Sequence, residues 1–455
     1  MHHVSTEEFS LWLEKFINFE RWANKEILNL KNMNLYASLW EHPESAYKSI
    51  HIAGSKGKGS VSIMLSSILK EAGYKVGLYT SPHVEDFRER VSCAGIFFSD
   101  EAYSKGYRKV IDFFEKIVSD NPSIDPTWFE IVTMLAFIMF RDEECEWGVF
   151  ETGMGGRLDT TNVLTPECSV ICPIELEHCQ YLGDTKEKIA KEKAGIIKKG
   201  RPVFCFDQDA SPLSVFRDKA KEMHSSFYYL PDMIQDIKIT PSLDGLALNL
   251  SFNRDYDFLS SFTRPIDCTL SFIDTVQGKN AALASVVAKY LIPSIKEDVI
   301  ERGLASAWLP ARFELYSRSP LVILDGAHTQ KSIEYCVETY KKIIREKCIL
   351  LFACADDKDT KHIAPLFSEV VEKIYITIPG TFKKSDIEKT EKDFMHCYKS
   401  TNISCIVSSN YQNIINTSYD EAKKRGVPLL VTGSFYLVAE AKKIIGNQCC
   451  KEKEN

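Results

Sequence analysis

Short apolar, β-prone runs alternate with stretches of helical periodicity along almost all of this chain, and that alternation predicts an α/β architecture with mostly parallel sheets. Residues 49–53 read as a strand that opens into a glycine-rich loop. Residues 60–72 then show helical spacing of Val61, Met64, Leu65, Ile68 and Leu69, and end at Gly73. Further strands are predicted at 75–79, 147–150 and 169–174, with a second glycine-rich turn at 153–156 and a helix at 185–197. The apolar run 131–140, bounded by Glu130 and Arg141, reads as a buried helix. Between 223 and 270 the pattern changes. Alternation such as Leu246-Ala-Leu-Asn-Leu-Ser-Phe252 predicts antiparallel strands in a side sheet. A helix at 279–290 leads to Ala307-Trp-Leu-Pro-Ala-Arg312, read as an interdomain joint. Beyond it, strands at 321–324, 348–352, 373–376 and 428–431 alternate with helical segments, as in a second doubly wound unit.

At 455 residues the chain exceeds the usual size of a single core, so two domains are expected, 1–306 and 307–455. A net charge of -7 and a pI of about 5.9 argue against nucleic acid or an anionic membrane as the main partner. No run approaches the ~18–20 apolar residues of a membrane span, and the N-terminus lacks the basic start and apolar core of a signal peptide. A cytoplasmic location follows as the expectation. None of the 14 cysteines forms a C-x-x-C pair, and no second cluster answers Cys168 and Cys172 at metal spacing. They read as reduced core thiols, with Cys449 and Cys450 incidental beside a polar tail.

The chemistry begins at Gly54-Ser55-Lys56-Gly57-Lys58-Gly59-Ser60, between a predicted strand and a predicted helix. Glycines let backbone N–H groups close around phosphate oxygens, and the helix N-terminus adds partial positive charge. Lys58 is placed to reach the β- and γ-phosphates, and the Ser60 hydroxyl to meet Mg²⁺. The strict P-loop pattern is not satisfied, because Gly59 separates Lys58 from Ser60 and the first two glycines are closer together. A flexible Gly/Lys/Ser loop is the competing reading. The flanking strand and helix favour phosphate binding.

The loop is the variant used by the Mur ligase superfamily, and its neighbours narrow the match. His51-Ile-Ala-Gly-Ser-Lys-Gly-Lys-Gly-Ser60, Gly77-Leu-Tyr-Thr-Ser-Pro-His83, Phe87-Arg-Glu-Arg90 and Thr127-Trp-Phe-Glu130 come first. Glu151-Thr-Gly-Met-Gly-Gly-Arg-Leu-Asp159 with Thr161-Asn162, Tyr181-Leu-Gly-Asp-Thr185 and Lys191-Glu-Lys-Ala-Gly-Ile196 follow. Gln277 with Asn280, Pro310-Ala-Arg-Phe-Glu314, Leu324-Asp-Gly-Ala-His328, Lys358-Asp359 and Thr432-Gly-Ser-Phe-Tyr436 complete the series. In that order the motifs resemble the folylpolyglutamate synthase/dihydrofolate synthase family. The resemblance implies a Mur-ligase-type P-loop ATPase domain with a mostly parallel sheet and a smaller Rossmann-like C-terminal domain. The active site would lie between them.

It also implies the reaction. ATP phosphorylates a carboxylate, and the amine of L-glutamate displaces phosphate from the acyl phosphate. Catalysis would then be mainly positioning and charge neutralisation. The loop Gly54, Ser55, Lys56, Gly57, Lys58, Gly59 and Ser60 would hold ATP together with Gln277, Asn280, Arg312 and Asp325. Lys58, Lys193, Arg312 and His328 would be catalytic. Two Mg²⁺ sites are implied, with Ser60, Ser81 and Glu151 near the first and His178 at the second. Lys193 would be carbamylated by CO₂ to support the second ion, and a monovalent cation is a further candidate. Read alone, Glu151 could cap its turn, His178 could be a loop histidine, Lys193 a solvated helix lysine and Arg312 a structural ion pair. Ser81, Pro82, His83 and Phe129 would border the pterin or folate, and Ser434 would meet glutamate. Phe129 could equally be core, and Ser434 could cap the last helix.

Several residues depart from the family's pattern. Thr329-Gln330 stands where Asn-Pro usually follows the histidine, Lys56 replaces Asn, Ala311 replaces Gly, Val276 replaces His, and Cys179 and Gln180 are atypical. The acceptor is expected to be dihydropteroate, a reduced folate, or both, in a monomer using only small-molecule partners. The rival readings are a cell-wall Mur ligase acting on a UDP-muropeptide and a nucleotide-binding regulator without catalysis.

Overall fold

The computed structural model describes residues 3–18, 29–381 and 383–454. The side chains of Cys449, Cys450 and the polar tail beyond them lie outside the described residues. The chain forms two compact units. One comprises Met1–Lys238, Leu248–Thr269 and Gln277–Leu309; the other comprises Ile239–Ala247, Leu270–Val276 and Pro310–Asn455.

The first unit is built on a seven-stranded sheet of β1 (Lys48–Ala53), β2 (Val76–Tyr79), β3 (Val91–Cys93), β4 (Trp147–Glu151), β5 (Cys168–Ile171), β6 (Val203–Cys205) and β7 (Phe227–Tyr229). The spatial order is β3-β2-β4-β1-β5-β6-β7. Every pairing is parallel except that of β2 with β3. Parallel strands covered on both faces read as continuous apolar runs, and β1, β4 and β5 are buried almost throughout. The chain leaves β1 for β2 on one side, while β5 lies on the other. The loops after β1 and β4 therefore open side by side at the carboxyl end of the sheet, where such folds bind ligands.

Strand β7 corrects the reading of residues 223 onward as a side sheet. A helix at Ala210–Glu222 returns the chain so that Phe227–Tyr229 pairs parallel with β6, which continues the main sheet. The smaller sheet consists only of β8 (Ile234–Ser242), β9 (Gly245–Phe252) and β10 (Ile266–Leu270), in the order β10-β9-β8. The other predicted elements form near their expected positions. The helix expected at 185–197 is shorter, Lys186–Ala194, and ends with Gly195 as its C-cap.

Two apolar clusters in the first unit flank the loops after β1 and β4 or brace the sheet. One is aromatic and gathers Phe9, Trp12, Tyr107, Phe114, Phe137 and Phe140 around the helix Trp128–Asp142. That helix is buried on nearly all sides. Its start explains the Thr127-Trp-Phe-Glu130 motif: Thr127 Oγ1 accepts from Glu130 N, and Glu130 Oε2 accepts from Thr127 N at 2.7 Å. This is a capping box, a local device rather than a ligand site. The other cluster packs Ile189, Ala190, Phe216 and Ala220 against Val203 and Cys205.

The second unit carries a six-stranded sheet of β11 (Glu314–Arg318), β12 (Leu321–Leu324), β13 (Cys348–Phe352), β14 (Val371–Ile376), β15 (Ser404–Val407) and β16 (Leu429–Thr432). Its order is β11-β12-β16-β13-β14-β15, parallel except for β11 with β12. Its core joins Tyr340, Phe352, Phe367, Phe394 and Leu430. The twelve cysteines with described side chains are free thiols. Among the described residues no helix is long and apolar enough to cross a membrane.

Candidate active site

The glycine-rich loop leaves the carboxyl end of β1, and the helix that follows begins at Lys58, so Lys58, Gly59 and Ser60 form its first turn. Gly57 is the N-cap at φ +80°, a left-handed conformation that favours glycine. A Cβ there would stand 2.9 Å from Asn280 Oδ1, and one at Gly54 would stand 2.5 Å from Cys172 Cβ. The chain is thus squeezed between β5's exit and the helix Val276–Leu291, and its first two amides are tied down, Ser55 N donating to Pro173 O at 2.8 Å and Lys56 N to the same oxygen at 3.4 Å.

The Lys58 ammonium donates to Gly54 O at 3.0 Å and lies 4.0 Å from Glu151 Oε1. Glu151, at the end of β4, is buried, and its Oε2 accepts from Ser81 N at 3.1 Å. Two neighbouring strand ends therefore bring a cation, a carboxylate and the buried Ser60 together. Gln277 and Asn280 share one buried turn of the helix Val276–Leu291, where Asn280 Nδ2 donates to Gln277 Oε1 at 3.0 Å.

Lys193 is not a solvated helix lysine. Its side chain is 1% exposed, and Nζ donates to Gly54 O at 2.7 Å and to Glu177 Oε1 at 2.8 Å. Burial lowers its pKa against the pull of Glu177, and the Lys58 charge works in the same direction as burial. Burial pushes Glu177 the other way, but Lys193, Lys58, His178 and Lys56 together hold its carboxyl down to about 2. Two lysines converge on the Gly54 carbonyl, and the more deeply buried of them, Lys193, is paired with a carboxylate. His178 is exposed in the left-handed region at φ +46°, as N-cap of the short helix Cys179–Leu182. Among the described residues no three His, Cys, Asp or Glu side chains are grouped as a metal cage. Glu151 and the hydroxyls of Ser60 and Ser81 are oxygen donors of the kind that could serve Mg²⁺, which keeps waters and takes its other ligands from phosphates.

Ser81, Pro82 and His83 are half-buried on the turn after β2. His83 Nδ1 accepts from Arg90 Nε at 2.7 Å, and the buried Arg90 guanidinium stacks 4.6 Å over Trp128 and 5.8 Å from Phe129. Phe129 packs on the aromatic core and stays partly exposed. Its ring edge lies 2.8 Å from where a Cβ at Gly153 would stand.

In the second unit, Arg312 sits between Ala311 at φ +58° and Phe313 at φ +49°, its guanidinium 4.5 Å from the Phe435 ring. The left-handed Ala311 explains why its departure from the usual glycine matters. Alanine pays a steric penalty there of about 1–2 kcal/mol. Asp325, nearly buried at the end of β12, accepts from Phe313 N at 2.7 Å and Ala327 N at 2.8 Å, which ties that turn down. His328 Nδ1 lies 2.8 Å from Gly326 O. Ser434 is buried, and its Oγ accepts from Tyr436 N at 3.1 Å, so the helix-start alternative is realised in its hydrogen bonding.

Glu177 was not among the residues singled out from sequence, although it directly precedes His178. Asp274 was also missed. It accepts from Thr339 Oγ1 at 3.1 Å, and burial together with the Asp325 charge pushes it up to about 6. A lone aspartate in Phe-Ile-Asp-Thr gives no signal of such a neighbour.

The Mur ligase middle domain family matches residues 52–288, and the Mur ligase, glutamate ligase domain family matches residues 311–435. The chain is 32% identical over 410 residues to the dihydrofolate synthase/folylpolyglutamate synthase of Bacillus subtilis, covering 88% of this chain and 91% of that one. The crystal structure of folylpolyglutamate synthase from Thermotoga maritima superposes with a TM-score of 0.80 at 27% identity, over 97% of both chains. An FPGS–AMPPCP–folate complex superposes with a TM-score of 0.78 at 25% identity, over 97% of this chain and 99% of that one.

Proposed function

The chain belongs to the folylpolyglutamate synthase/dihydrofolate synthase family of Mur ligases, and we propose that it ligates L-glutamate to both dihydropteroate and reduced folates, using ATP. The observation that carries this reading is the convergence of Lys58, Glu151 and Ser60 on a strained glycine loop at the carboxyl end of a parallel sheet.

A carboxylate is a poor electrophile because its charge repels an amine. Transfer of the γ-phosphoryl group of ATP to a carboxylate oxygen forms an acyl phosphate and releases ADP. The glutamate ammonium gives up a proton, the free amine attacks the acyl carbon, and the tetrahedral adduct loses a second N–H proton as phosphate leaves with its bonding pair. The loop amides and Lys58 hold the transferring phosphoryl group in place and offset its charge. Glu151, Ser60 and Ser81 are the residues that would hold one Mg²⁺, and His178, supported by Lys193 once carbamylated, a second. Mg²⁺ supplies charge neutralisation at the phosphates. A carbamylated Lys193 and a monovalent cation belong to the same proposal. So do nucleotide contacts from Gln277, Asn280, Arg312, Asp325 and His328, and a pterin face on Phe129. In this reading the first unit carries folate and most of the nucleotide contacts, while the second, which matches the glutamate ligase domain family, meets glutamate and adds Arg312, Asp325 and His328 to the nucleotide. A cytoplasmic monomer acting on small molecules completes the reading.

The test is phosphate release with ATP, Mg²⁺ and L-glutamate, supplying dihydropteroate and tetrahydrofolate in parallel, with products identified by mass. Glutamylated product from both acceptors is expected. Product from one alone removes bifunctionality. Product from neither, with a UDP-muropeptide ligated instead, overturns the folate assignment.

A further inference from the structure

Behind the strand ends runs a buried chain of polar groups that the reaction above does not use. His51, on β1, and Thr161 have no exposed surface, and Asp159 is 7% exposed. His51 Nε2 lies 2.7 Å from Thr161 Oγ1, and the Thr161 hydroxyl donates to Asp159 Oδ1. Since that single O–H is committed to the carboxylate, Thr161 Oγ1 accepts from His51, which places the imidazole proton on Nε2. Asp159 Oδ2 in turn accepts from Met154 N at 2.9 Å and also draws on Gly153 N. These amides belong to the turn that directly follows Glu151.

The far end of the turn is equally tight. A Cβ at Gly156 would stand 2.9 Å from Glu192 O and 3.0 Å from Lys193 Cα, and Arg157 N donates to Glu192 O at 2.7 Å. The turn held by Asp159 therefore abuts Glu151 at one end and the Lys193 backbone at the other. Burial, with Lys198 adding to it, drives the His51 pKa down to about 3, and an imidazolium would put its second proton on a buried Nδ1 with no hydrogen-bond partner. A leucine would fill the same space. What it could not supply is a donor to Thr161.

We propose that His51 is a positioning residue for glutamate ligation, acting through Thr161 and Asp159 to fix the glycine turn between Glu151 and Lys193. The proposal rests on the ligase reading above. His51 touches no reacting atom; it limits how far the turn can relax when phosphate charge gathers against Glu151. A partly satisfied buried network is costly, so losing the donor loosens the groups downstream.

Four variants of the full chain test it: His51→Leu and Thr161→Val break the relay, while His51→Gln and Thr161→Ser retain its donor and hydroxyl. Steady-state glutamylation should show kcat/KM reduced about tenfold or more in the first pair, and within about threefold of wild type in the second. The double variant His51→Leu/Thr161→Val should be no worse than either single one, because both cut the same chain. Breaking variants at wild-type rates, or losses that multiply in the double variant, overturn the proposal. If His51→Leu fails to fold, the Thr161 pair alone decides. Nitrogen-15 NMR of histidine-labelled protein reads the relay without turnover. A slowly exchanging Nε2–H proton is expected in wild type and in Thr161→Ser, and lost in Thr161→Val; its absence from wild type overturns the relay. A wild-type protein that shows this proton yet forms no glutamylated product would overturn the ligase reading instead.

Discussion

Replacing Glu177 with glutamine removes the anion that faces Lys193 and leaves the geometry nearly unchanged. Lys193 is 1% exposed and has two partners, Glu177 at 2.8 Å and the Gly54 carbonyl at 2.7 Å. Removing one partner of a buried ion pair leaves an uncompensated charge and costs about 3–5 kcal/mol. The Glu177 side chain is 15% exposed, so some solvent reaches the site and the lower end, ~3 kcal/mol, is expected. At about 1.4 kcal/mol per factor of ten, that is on the order of 100-fold easier local opening. Hydrogen exchange read by mass spectrometry is the assay, on peptides spanning Gly54 and the helix Lys186–Ala194, in buffer freed of CO₂. Exchange in Glu177→Gln that is unchanged, or slower, would refute the view that Glu177 compensates a buried ammonium. Bicarbonate makes the same experiment report on carbamylation. A carbamate on Lys193 would set two anions together, so removing Glu177 would then slow exchange instead.

Gly57→Ala forces a side chain into a left-handed position with Asn280 Oδ1 at 2.9 Å, and should weaken ATP binding about tenfold or more by calorimetry, since the conformation alone costs about 1–2 kcal/mol. Asp274 has a folded pKa of about 6, above its ordinary 3.8, so its charge opposes folding and stability should fall as pH rises from about 4 through 6. Asp274→Asn keeps the acceptor for Thr339 and removes that charge; in urea unfolding at pH 7.5 it should raise the stability of the second unit by up to ~3 kcal/mol, seen as a higher midpoint, and have little effect at pH 4. Arg312→Ala should lower turnover about 100-fold with near-wild-type circular dichroism, whereas unchanged turnover would remove Arg312 from the reaction.

The residues that act through neighbours in the chain were legible before folding. A glycine loop between an apolar run and a helical stretch can be read because strand, loop and helix are contiguous, and its helix begins at Lys58. The Thr127–Glu130 capping box is equally local, although in the sequence those residues stood out only as part of the family motif. Where the edge of the main sheet ends was not visible. Phe227–Tyr229 joins β6 because the helix before it carries the strand back across the sheet, and three residues hold no record of their partner.

Sequence by itself determined the α/β class, the order of the elements and the motifs that mark the chain as a glutamate-ligating Mur enzyme, because hydrophobic period and glycine placement are local properties. Only the tertiary structure decided what each charged side chain faces. It turned Lys193 from one lysine in a basic run into a buried cation bound to Gly54 and Glu177, 139 and 16 residues away. It joined His51 to Thr161 across 110 residues and put Asp274 against Asp325. Burial and the charges that surround a group set its protonation and its strength as a donor, and both depend on segments distant in sequence.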